Sequence, residues 1–164
     1  MIKIIDSILN KDELNYLVES VCPNFINSNQ YNELDGLYKS YNSMFIDEYS
    51  QIERFKQDMS RIVKDMGYDY RLNVPGVFIN KIDTLKNQND KYHNDGCDLT
   101  VIVYLNDDFE GGEFEYVIDN KLHHITPSGN LTIVMDRSIP HRVLPVTNGT
   151  RYSLISWFNR SGLI

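Results

Sequence analysis

His93-Asn94-Asp95 places an imidazole and a carboxylate two residues apart, just ahead of the β-branched run Leu99-Thr100-Val101-Ile102-Val103. In extended backbone residues i and i+2 face the same way, so His93 and Asp95 can converge on one point while Asn94 looks away. Two readings stand: a turn with solvated polar groups, or two-thirds of a metal site whose third ligand lies elsewhere. The other histidines are His123, His124 and His141. His123 and His124 are neighbours in Lys121-Leu122-His123-His124-Ile125, after the turn signal Asp119-Asn120. They point to opposite faces, and a solvated hairpin explains both. His141 follows Pro140 and opens a strand-like segment. It is either an edge-strand histidine paired with a carboxylate or the missing ligand.

Together His93, Asp95 and His141 form the two-imidazole, one-carboxylate set that suits non-haem Fe(II), filling one face of an octahedral ion and leaving the opposite positions open. Zinc more often takes a closed tetrahedral site with sulfur, and neither Cys22 nor Cys97 is spaced to supply it. Both cysteines are expected as free thiols. Ten residues past His141, Arg151 opens a strand in which Arg151, Ser153, Ile155 and Trp157 share one face. Tyr152, Leu154, Ser156 and Phe158 share the other. A guanidinium beside buried apolar groups is costly unless an anion meets it. That anion is either a protein carboxylate or a dicarboxylate ligand gripped bidentately.

These residues need strands to hold them. After Pro75 come six short β-rich runs, from Val77-Phe78-Ile79-Asn80-Lys81-Ile82 to the Arg151–Phe158 segment, separated by turn signals. They predict one antiparallel β-domain of the sandwich, barrel or jelly-roll kind. Two helices precede it. Asn10 caps the first, Glu13 reaches back, the apolar positions are Leu14, Leu17, Val18 and Val21, and Pro23 ends it. The second carries Phe45, Tyr49, Ile52, Phe55, Met59, Ile62 and Met66 and closes at Gly67. Both helices are expected against the outside of one sheet.

With 164 residues, 41% of them hydrophobic, the chain reads as one folded domain with a real core. A net charge of −7 argues against broad binding to nucleic-acid backbones. No apolar run is long enough for a membrane span, and the N-terminus reads as mature protein without a signal peptide. A cytoplasmic protein is the default.

The stretches His93-Asn94-Asp95, Tyr104-Leu105-Asn106, Glu110-Gly111-Gly112-Glu113-Phe114 and Asp136–Phe158 resemble the 2-oxoglutarate- and Fe(II)-dependent dioxygenases. Within that family the chain looks most like the prolyl 4-hydroxylase type, including the oxygen-sensing branch. The resemblance implies a mainly β protein with N-terminal helices (α+β), built on a double-stranded β-helix or jelly roll. It divides the single domain, 1–164, into a helical support region at 1–70 and a jelly-roll core at 74–158. Iron would be held by His93, Asp95 and His141. The far carboxylate of 2-oxoglutarate would be held by Arg151, with Tyr104 and Ser153 assisting. Trp157 would line the substrate entrance.

The implied reaction uses Fe(II), 2-oxoglutarate and O2, with ascorbate as an optional addition, and hydroxylates a peptidyl residue, proline first, releasing succinate and CO2. No side chain beyond the metal ligands is assigned a catalytic role. A peptide or protein substrate is expected; a free amino acid or other small molecule is the alternative, followed by a non-catalytic metal-binding jelly roll. Repair of alkylated bases ranks low: those relatives carry a second arginine where this chain has Trp157. Prolyl hydroxylases also carry a tyrosine in the strand before His-x-Asp, where this chain places Lys81 and Asp83.

Overall fold

The computed structural model describes residues 1–24, 42–45, 52–67, 69–84 and 91–160. Its main element is a six-stranded antiparallel sheet built from β1 (Ile2–Asp6), β2 (Asn42–Phe45), β3 (Tyr70–Asp83), β4 (Leu99–Tyr104), β8 (Leu131–Asp136) and β11 (Thr150–Arg160), in the order β1-β8-β4-β11-β3-β2. Facing it is a three-stranded sheet, β7 (Lys121–Ile125), β6 (Phe114–Ile118) and β9 (His141–Val143), in that order. The short strands β5 (Glu110–Gly111) and β10 (Val146–Asn148) pair with each other.

Alternation along β4 and β11 divides the core into two layers. Leu99, Val101, Val103, Leu154 and Phe158 face the helices, where they meet Leu17, Val21, Phe55, Met59 and Val63. Ile102 and Tyr104 face the small sheet and pack with Phe114, Tyr116, Ile133 and Val143. Every residue of β4 is therefore buried, which is why Leu-Thr-Val-Ile-Val-Tyr reads as a nearly continuous apolar run. Truncating Phe158, wholly buried in the helix-side layer, to Ala would cost about 3–5 kcal/mol.

The helices lie against the outside of the large sheet, as expected. α1 (Lys11–Tyr16) carries the expected capping box between Asn10 and Glu13, then widens into a π turn over Leu17–Val21 and a 3-10 turn over Cys22–Asn24, which contains Pro23. Buried Asn130, in left-handed backbone, bonds Leu9 through both ends of its amide and ties this region to the start of β8. α2 (Ile52–Asp65) is shorter than its apolar stripe suggested. Phe45 belongs to strand β2, and Tyr49 lies outside the described residues. Apolar spacing alone does not separate the two states here: Asn42–Phe45 finds its hydrogen bonds along the edge of β3. Strand β1 was not foreseen either; it pairs with β8 along its whole length.

Candidate metal centre

His93 is not part of a long strand. Its N–H and C=O exchange 3.0 Å hydrogen bonds with His141 of β9, so the two imidazoles are register partners and project the same way. Their ring centroids are 4.4 Å apart. Asp95 lies two residues on, with Oδ1 4.0 Å from Nε2 of His93 and 3.8 Å from Nε2 of His141. One donor atom from each of the three residues falls within 4.8 Å of the others, a group able to hold a metal ion.

Hydrogen bonding fixes which atoms are offered. Nδ1 of His93 lies 3.0 Å from the carbonyl of Lys91, and Nδ1 of His141 lies 3.0 Å from that of Ile139. A carbonyl can only accept, so each Nδ1 carries the proton and each Nε2 keeps a lone pair for a metal. Burial holds the His141 imidazole below its usual value of 6.5 and so favours the neutral form, although Asp95 pulls the other way. Oδ2 of Asp95 accepts from the Thr100 hydroxyl, itself in contact with the Cys97 thiol, so Oδ1 is left free. Cys97 is a free thiol pushed up to about 11 by burial, and Cys22 is also free and buried.

The three donors line a cavity between the sheets that encloses about 530 Å³ of empty volume, its open mouth included. Arg151 and Ser153 line the same cavity, as do Ile155 and Trp157, in keeping with the alternation read along β11. Arg151 is only 2% exposed, and its Nε and Nη1 have no hydrogen-bond partner among the described residues. Tyr104 lies beneath it, with the guanidinium carbon 4.8 Å from the ring centre. The Tyr104 hydroxyl and Ser153 Oγ are buried and equally unpartnered. Burial raises the Tyr104 phenol above its usual 10, with Arg151 pulling the other way, so it remains a donor. A buried cation ringed by unused donors fits a carboxylate.

Gly112 makes room for Arg151. It sits at φ +71°, and a Cβ there would come within 3.2 Å of the Arg151 Cδ. Gly111 (φ +74°) is tighter still: a Cβ would meet the Pro145 carbonyl at 2.2 Å. The Glu-Gly-Gly motif thus lets β5 and β10 close over the arginine.

Trp157 stands at the point where the pairing of β11 with β3 shifts register, and its ring meets Phe78 edge to face at 4.7 Å. Lys81 and Asp83 do not face the cavity: they pair across β11 with Tyr152 and Thr150, and with each other at 3.9 Å. Phe78 and Asn80 are in the cavity wall, on the face that Ile82 shares, and Asn80 stands opposite Ser153 with its buried Oδ1 unpartnered among the described residues. Sequence reading missed Asn80 and Thr100; the period of two in Val77–Ile82 held the signal for the first.

Residues 76–159 match the family model of the 2OG-Fe(II) oxygenase superfamily. No curated protein matches the chain. Among solved structures, a prolyl-4-hydroxylase from Pseudomonas putida shares 18% identity over 98% of this chain and 93% of its own, with a TM-score of 0.72. The viral collagen prolyl hydroxylase of Paramecium Bursaria Chlorella virus-1, in its 2OG complex, shares 18% over 98% and 96%, TM-score 0.70. A prolyl hydroxylase from Trichoplax adhaerens, in complex with a hypoxia inducible factor oxygen degradation domain peptide fragment, shares 18% over 97% and 83%, TM-score 0.70. These likenesses establish the double-stranded β-helix.

Proposed function

This chain belongs to the 2OG-Fe(II) oxygenase superfamily, and we propose that it hydroxylates a peptidyl residue, proline first, with release of succinate and CO2. One observation carries the reading: Arg151 and Ser153, whose donors have no partner among the described residues, line the same cavity as His93, Asp95 and His141, and Tyr104, its hydroxyl equally unpartnered, packs against the guanidinium. Nε2 of each histidine and Oδ1 of Asp95 would hold Fe(II). Arg151 would receive the distal carboxylate of 2-oxoglutarate, with Tyr104 and Ser153 donating to it and the Asn80 amide beside them. Bound Fe(II) with 2-oxoglutarate and O2 supplies oxidative decarboxylation coupled to insertion of oxygen into a C–H bond.

The chain's own residues orient and exclude water. Hydrogen bonds hold both imidazoles and the Asp95 carboxylate in place, and these three donors would hold the ion while leaving room for further ligands. Phe78, Phe114, Val143, Ile155 and Trp157 give the remaining wall an apolar lining. With Arg151 occupied by the cosubstrate, the described residues of that wall offer no counter-charge to a lysine or an aspartate, which favours a neutral, apolar target such as a proline ring. The peptide carried by the Trichoplax relative supports a peptide as the kind of partner.

The test is succinate release from 2-oxoglutarate with Fe(II), ascorbate keeping the iron ferrous, in the presence of proline-containing peptides. Peptide-dependent succinate with gain of one oxygen atom on proline, located by mass spectrometry, is expected. Oxygen gained only by free amino acids, or no succinate at all, would overturn the peptidyl reading.

A further inference from the structure

Behind the two imidazoles, on the outward face of the small sheet, four side chains line up across the strands. His124 of β7 and Arg142 of β9 are the register partners of Glu115 on β6, and Tyr92 belongs to the segment joined to β9 by the His93–His141 bridge. Glu115 is only 3% exposed although it points outward. Its carboxylate accepts from Arg142 Nε, from the Tyr92 hydroxyl at 3.2 Å, and meets His124 Nδ1 at 3.2 Å. The Arg142 guanidinium also lies 4.7 Å over the Tyr92 ring.

Tyr92 itself is 43% exposed, so burial of its ring does not explain where it sits. What holds it is Glu115 and Arg142, and it immediately precedes His93. The segment is otherwise tied down by the paired His93–His141 backbone bonds and by Asn94 Nδ2, which donates to the Arg137 carbonyl at 2.8 Å. Two anchors therefore flank His93: Asn94 on one side and the Tyr92–Glu115–Arg142 brace on the other.

We propose that Glu115 is a positioning residue for the metal site: through Tyr92 and Arg142 it clamps the His93 segment to β9, so that both histidines present Nε2 to one point. The inference rests on the reading of His93, Asp95 and His141 as the metal ligands. Arg142 contributes twice, since it follows His141 on one strand and stacks on the residue before His93 on the other side. The inward face carries the ligands and the outward face fixes their spacing.

The test titrates the metal-free full-length chain with Co(II), followed by calorimetry and by the visible d–d bands. Variants are Glu115→Gln, Tyr92→Phe and Asp95→Ala, each with its thermal unfolding recorded. The expected result is Kd raised about tenfold in Glu115→Gln and Tyr92→Phe, with altered d–d bands, and loss of binding in Asp95→Ala. If Glu115→Gln fails to fold, Tyr92→Phe, which loses only one hydroxyl from an exposed ring, decides the matter alone. Wild-type Kd and spectrum in Tyr92→Phe, whatever the melting temperatures, would overturn the brace while Asp95→Ala still upholds the ligand set. Wild-type Kd in Asp95→Ala would overturn the ligand set and the brace with it.

Discussion

Glu115 and Arg151 are both charged and nearly inaccessible, 3% and 2% exposed, but they sit on opposite faces of the barrel wall and are treated in opposite ways. Glu115 is met by Arg142, Tyr92 and His124. Arg151 has neither Nε nor Nη1 engaged among the described residues, and the hydroxyls of Tyr104 and Ser153 are idle there as well. Burying an uncompensated charge costs several kcal/mol, so a fold retains one only where something arrives to neutralise it. The satisfied charge belongs to the architecture; the unsatisfied one is what the proposed cosubstrate site requires.

The contrast breaks most sharply at Arg151. Arg151→Ala should raise the dissociation constant for 2-oxoglutarate by two to four decades, about 3–5 kcal/mol, while leaving the melting temperature of the metal-free chain unchanged or higher; calorimetry and thermal unfolding read the two halves. Saturating 2-oxoglutarate with metal should stabilise the wild type by about 2.7 kcal/mol at a hundredfold excess over Kd, and Arg151→Ala should show no such rise at the same concentration. Glu115→Ala should act on the stability of the metal-free chain. It should lower the unfolding free energy by about 1 kcal/mol, since water can re-solvate the half-exposed Arg142 and Tyr92, and a drop of a few degrees in melting temperature would register it.

Acid sharpens the same pair by the smallest effect. Burial would raise the Glu115 carboxyl, but hydrogen bonds from Arg142 and Tyr92 outweigh it and hold the group below its usual 4.5. A depressed folded value means the contribution is complete above 4.5 and fades as pH falls through the folded value. The stability gap between wild type and Glu115→Gln should therefore be constant near neutrality and narrow below pH 4.5, as denaturant midpoints at a series of pH values would show. A gap that widens in acid would contradict the pairing.

Much of the candidate site was legible because its residues obey a local period. Histidine and aspartate two apart, and the alternation of Arg151, Ser153, Ile155 and Trp157, follow from extended backbone alone. Asn80 escaped because Lys81 and Asp83 drew attention by their charge, although the same alternation puts them on the other face. Phe45 was drawn into a helix because its spacing matched the stripe of α2, while its hydrogen bonds lie with β3. The brace at Glu115 could not be read at all. Nothing local marks an outward glutamate as buried when its donors come from strands that are distant in sequence.

The order of apolar and polar residues by itself determined the six strand runs after Pro75, the faces along them, and the donor types that suit iron and a dicarboxylate, because pleat and ligand chemistry are properties of single segments. Tertiary structure alone decided that His93 pairs with His141, that Nε and Nη1 of Arg151 meet no acceptor among the described residues, and that Glu115 is enclosed. Those outcomes depend on which segments become neighbours, and proximity between distant parts of a chain is set by how the two sheets close on their shared core.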